Sequence, residues 1–96
     1  MTRVRRVEVV DAYVEDGRAA VYSMRGMVVL LSELATTAWS VIGEEGWVAS
    51  EEVTAALIAE FGDPEGGEAG RLTDEALRSL ADMALVELDD SGATDA

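Results

Sequence analysis

The hydrophobic period of this chain changes at Ser32, and that change sets the class of fold. Ahead of Ser32, short apolar runs are broken by Asp16-Gly17 and Arg25-Gly26; behind it, apolar residues recur four and seven apart. A period near two belongs to strands and one near 3.6 to helices. The first third therefore reads as strands and the remainder as helices.

A first strand is expected over Val7 to Val14, where Val7, Val9, Ala12 and Val14 interleave with Glu8, Asp11 and Tyr13. The adjacent Val9 and Val10 break the alternation. Asp16-Gly17 supplies the positive φ that a tight hairpin requires. A second strand follows over Ala19 to Met24, and Gly26 allows another turn. Met27 to Leu31 (MVVLL) is the third strand of a meander.

Ser32 reads as a helix N-cap, with Glu33 favourably placed at the positive end of the helix dipole. Leu34, Ala35, Ala38, Trp39, Val41 and Ile42 form an apolar stripe that puts Trp39 in the core, and Gly43 ends it. Ser50 is expected to cap a second helix, with Glu51 and Glu52 in its first turn and Val53, Leu57, Ile58 and Phe61 on one face. Gly62 and Pro64 close it. Asp63 to Gly70 reads as a loop or a loosely begun helix. Leu72, Ala76, Leu77, Leu80 and Met83 define a third helix, and Leu85-Val86 packs its exit. Trp47 reads as core or wing packing, with an exposed contact as the alternative.

Ninety-six residues make one domain, expected over residues 7–90 between a basic arm (1–6) and a disordered tail (91–96). Cysteine and histidine are both absent. Disulfides, thiol nucleophiles, thiolate metal sites and the commonest neutral-pH acid–base group go with them. With no nucleophile–base pair to assemble, the chain is not expected to be an enzyme or to hold a cofactor. Glu44-Glu45 and Glu51-Glu52 read as solvated charge and dipole partners rather than metal ligands.

Twenty acids against seven arginines give a formal net charge of −13, which repels a phosphate backbone. Nucleic acid is therefore not an expected partner. Arg3, Arg5 and Arg6 either solubilise the terminus or meet an acidic partner. No run approaches the ~20 apolar residues of a membrane span, and no secretory signal is evident, so a cytoplasmic location is expected.

The order of three strands and three helices, with GMVVLLSELATTAW at its centre, resembles the PqqD-like family, the peptide-recognition elements of ribosomal peptide natural-product pathways. Gly26, Leu31, Ser32 and Trp39 fall at the positions of that family's Gly, Leu-Asn and following Trp. A capped helix at Ser50 to Phe61 and a closing Leu80, Leu85 and Val86 extend the match over about Val7 to Leu88. Val28-Val29 stand where the family usually carries an aromatic pair, Leu30 where it carries a polar residue, and Ser32 replaces its Asn.

The resemblance implies an α+β fold, a winged helix-turn-helix with a three-stranded antiparallel sheet followed by three helices. It also implies that a precursor's leader peptide adds as a strand beside the third strand and against the third helix, for delivery to a modifying enzyme or leader peptidase. Site residues on that basis are Met27, Val28, Val29, Leu30 and Leu31 on the strand, with Arg71, Leu72, Glu75, Ala76, Arg78 and Ser79 on the helix. Arg71 and Arg78 could pair with peptide carboxylates or remain solvated helix charges. The short length suggests a standalone protein.

Met27 to Leu31 is apolar at every position, whereas a meander with one solvated face should alternate. Either helices cover both faces, or one face opens onto a groove that a partner completes. Two alternatives remain at this stage: a winged-helix DNA-binding regulator, and a small structural or homodimerising subunit that buries the same strand.

Overall fold

The computed structural model describes residues 2–43 and 46–89. Among them run β1 (Arg3–Arg6), β2 (Val9–Glu15), β3 (Arg18–Ser23), β4 (Val28–Leu30), α1 (Glu33–Ile42), β5 (Val48–Ala49), α2 (Ser50–Phe61), α3 (Ala69–Asp82) and β6 (Val86–Asp89), with a short 3₁₀ turn at Glu65–Gly67. The architecture is α+β: the antiparallel meander β2-β3-β4 is followed by three helices. The expected Glu44-Glu45 pair and the tail 91–96 lie outside the described residues.

Local chemistry makes the meander. Asp16 and Gly17 both take positive φ, 54° and 78°, the signature of a type I′ hairpin turn. Gly26, at φ 82°, ends the β3–β4 turn, where Ser23 N–H donates to the Met27 carbonyl at 2.8 Å. The Val9-Val10 irregularity is a β-bulge: Val9 lies opposite Ser23 and Asp11 opposite Tyr22, so Val10 has no cross-strand partner. The extra residue restores the alternation that the sequence breaks.

The third strand ends through an exchange of partners. Leu31 N–H still donates to the Ala19 carbonyl at 2.8 Å, but the Ala19 N–H turns to the buried Thr36 hydroxyl at 2.8 Å. The Leu31 carbonyl accepts instead from Arg18 Nε at 3.2 Å. Thr36 thus binds the sheet to α1 and frees the chain to begin that helix. Ser32 caps it as expected, its Oγ accepting from Ala35 N–H at 3.1 Å.

Ser50 does not act as a cap. It is the first residue of α2, the cap position is Ala49, and the Ser50 hydroxyl donates to Glu51 at 2.9 Å. α3 begins at Ala69, ahead of Leu72, with the Thr73 hydroxyl donating back to the Ala69 carbonyl at 2.8 Å.

The segment expected to be a basic arm outside the domain contributes Arg3–Arg6 as β1, the central strand of a second sheet ordered β5-β1-β6. Arg3 lies opposite Asp89 and Arg5 opposite Glu87, each as an ion pair, and both guanidinium groups lie over Trp47 at 5.2 and 4.8 Å. Arg6 sits 3.7 Å from the Trp39 ring and donates to the Trp39 carbonyl. Trp47 is therefore not core: 37% exposed, it packs at the surface of this sheet beneath the two guanidinium groups.

One core joins both sheets to the helices. Val4, Val21, Leu31, Ile42, Val53, Leu77, Leu80 and Leu85 are essentially solvent-free, and Trp39 is buried among them. Each such aliphatic side chain contributes about 1.5–3 kcal/mol relative to exposure.

Candidate functional site

In the meander, β4 pairs with β3 alone, through Val28 with Tyr22, Val29 with Val21 and Leu30 with Ala20. In an antiparallel ladder, alternate residues direct both backbone groups to the same neighbour. The Met27 carbonyl and the Leu31 N–H both engage β3. By that alternation Val29 also points its backbone inward, while Val28 and Leu30 turn N–H and C=O toward the open flank. Four strong backbone groups thus lie on one unpaired edge.

The side chains divide in the same way. Val29 packs against the core and Leu31 is buried within it, whereas Val28 and Leu30 are 68% and 72% exposed. The register places Leu30, Ala20 and Tyr13 in one outward row and Val28, Tyr22 and Asp11 in the next. Helices cover only the inner face, so the all-apolar third strand does present one open hydrophobic face.

Where β4 gives way to α1, Leu34 lines a cavity of about 200 Å³ with Leu57, Ile58 and Phe61 of α2 and Leu72 of α3. Its lining is predominantly apolar, and Asp63 is the charged residue on its wall. A larger cavity of about 380 Å³ lies at the β1–β2 junction, lined by Arg6, Val7, Glu8, Val9 and Trp39; neither cavity includes a β4 residue in its lining.

Of the residues expected to form a site, Met27, Val28 and Leu30 are exposed on or beside the open strand. Leu31 is a correction: its side chain is 1% exposed and its backbone is engaged by Ala19 and Arg18, so it belongs to the core. On α3, Leu72 reaches the cavity and Ala76 is half-buried, while Arg71, Glu75, Arg78 and Ser79 are exposed. Arg71 is committed to Glu75 at 2.8 Å and Glu68 at 2.9 Å. Leu34, Leu57, Ile58 and Phe61 were not anticipated as cavity residues. Their helical spacing marked them as apolar without distinguishing a cavity wall from a packed core.

Among the described residues no group of three acidic, Cys or His side chains could hold a metal ion, and no helix is long and apolar enough to cross a membrane.

No family model matches the chain, and no curated protein matches it. Among solved structures, the chain is similar to TbiB1 in complex with the TbiA(beta) leader peptide, with a TM-score of 0.71 and 23% identity over 86% of this chain and 94% of that one. A likeness at this identity establishes a shared fold.

Proposed function

We propose that this chain binds the leader region of a ribosomally made precursor peptide by strand addition at β4, and presents it to a modifying enzyme or leader peptidase. The observation that carries this reading is the outward-turned backbone of Val28 and Leu30 on an edge that β3 does not satisfy. The fold shared with TbiB1, which binds a leader peptide, supports it. In strand addition, main-chain bonds supply affinity and alternate side chains supply specificity. A guest strand continues the row Tyr13, Ala20, Leu30, so the partner enzyme meets host and guest side chains on one surface.

Why β4 rather than β2, the other edge? β2 carries a bulge at Val10 and the acids Asp11 and Glu15, devices that protect an edge from pairing. β4 has neither, and the chain runs on from it through Leu31, Ser32 and Glu33 to Leu34 on the cavity wall.

Magnitudes show that the edge alone is insufficient. Four backbone bonds contribute about 4 kcal/mol net, and two aliphatic side chains about 4 more. Ordering the peptide costs ~2–5 kcal/mol. The remaining 3–6 kcal/mol, roughly, corresponds to millimolar or high-micromolar binding. An apolar guest side chain in the 200 Å³ cavity supplies about 1.5–3 kcal/mol more.

The test is isothermal titration of the intact chain with synthetic leader regions of the short reading frames encoded beside its gene. Saturable one-to-one binding is expected. If every such peptide fails to bind at millimolar concentration, the reading is wrong.

A further inference from the structure

We infer that the guest peptide is basic, carrying Lys or Arg beside the residues that enter the cavity lined by Leu34, Leu57, Ile58, Phe61 and Leu72. The inference rests on the reading of β4 as the guest's edge and adds to it the charge class of the ligand.

Charge around the cavity is predominantly negative and only partly offset, by Arg71 within it and by the exposed Arg78 one helical turn beyond Glu75. Asp63 stands on the wall itself. Glu33 is exposed immediately before Leu34, and it reaches over the β2–β3 turn, where its Oε1 would lie 3.8 Å from a Cβ placed on Gly17. At the opposite side, Glu68 precedes the cavity residue Ala69 and Glu75 follows one turn after Leu72. Arg71 bridges those two carboxylates, leaving that group with one net negative charge.

An acidic peptide finds one arginine of α3, the exposed Arg78, outside these ion pairs, against the four carboxylates of Glu33, Asp63, Glu68 and Glu75. To reach Arg71 it must displace Glu68 or Glu75, and it meets Glu33 and Asp63 as like charges. A basic peptide meets carboxylates that retain acceptor positions, since each carboxylate offers about four. The same sign holds at long range: a chain of net charge −13 accelerates encounter with a cation, an effect that falls steeply with ionic strength.

The experiment selects binders from a random 15-residue peptide library displayed on messenger RNA, against the intact chain at low salt. Selected peptides are then titrated at about 50 and 500 mM salt, with Glu33→Gln/Asp63→Asn and with Glu51→Gln/Glu52→Gln. The last pair lies at the far end of α2 and serves as an equal-charge control. Selected sequences are expected to be enriched in Lys and Arg. Their affinity should fall tenfold or more with salt and about three- to tenfold in Glu33→Gln/Asp63→Asn, and hold in the control.

Enrichment of neutral or acidic sequences, or equal losses in both double variants, overturns the inference. Retained affinity in Leu30→Pro indicts the strand-edge reading instead, and recovery of no binder at all overturns both.

Discussion

Val29 lies opposite Val21 across the β3–β4 ladder, and this pairing turns the amides of Val28 and Leu30 away from β3. Adjacent positions on one short strand therefore have opposite mutational meanings. Proline at 30 removes an amide that only a guest would use, whereas proline at 29 removes one that the host sheet uses. Leu30→Pro should retain the native circular dichroism spectrum and weaken peptide binding by about 5–30-fold, equivalent to 1–2 kcal/mol. Val29→Pro should destabilise the fold by ~3 kcal/mol or more in urea denaturation. Unchanged peptide affinity in a folded Leu30→Pro would exclude this edge.

Thr36 tests the link between sheet and helix. Its hydroxyl accepts from the buried Ala19 N–H at 2.8 Å, so Thr36→Val keeps the shape and orphans a donor. The expected loss is about 1–3 kcal/mol of folding free energy. Thr36→Ser should restore most of it, measured as the shift in urea midpoint at constant slope.

Ala84 turns the chain from α3 into β6 with φ at 61°, in the left-handed region where a Cβ is unfavourable. Ala84→Gly should therefore stabilise the protein by about 1 kcal/mol, less the extra backbone entropy of glycine in the unfolded chain. A lowered thermal midpoint would show that the Ala84 methyl contributes packing that outweighs its strain.

Trp47 belongs to the second sheet, beneath Arg3 and Arg5. Trp47→Ala should cost about 1–2 kcal/mol of stability, on the order of two exposed cation–π contacts. It should leave peptide affinity unchanged, because β1, β5 and β6 are separate from the β4 edge. A coupled loss of peptide binding would place Trp47 within the site.

A winged-helix shape alone would permit DNA binding, but three of the seven arginines are held by carboxylates: Arg3 by Asp89, Arg5 by Glu87, and Arg71 by Glu68 and Glu75. No shift of duplex DNA is expected at low salt, where phosphate contacts are strongest. A tight complex under those conditions would favour the regulator reading.

What the sequence disclosed was local. Asp16-Gly17, Ser32, Gly43 and Gly62 act within a few residues of themselves, so their roles could be read directly. The second sheet could not be read in this way, because Arg3 finds Asp89 across the whole domain and β5 is two residues long. The alternation of Arg3, Val4 and Arg5 against Glu87, Leu88 and Asp89 was the available signal. Ser50 failed as a cap because its hydroxyl turns to Glu51. On β4, apolar composition could not reveal that Leu31 faces the core while Leu30 faces outward; the pairing with β3 decides that.

Residue-resolved hydrogen exchange tests strand addition most directly. In the free protein the amides of Val28 and Leu30 should exchange rapidly, while those of Val29 and Leu31 are protected by β3. Saturation with a bound peptide should slow Val28 and Leu30 by tenfold or more and leave their neighbours unchanged. Demonstrated peptide binding with no added protection at these two amides would contradict docking on this strand.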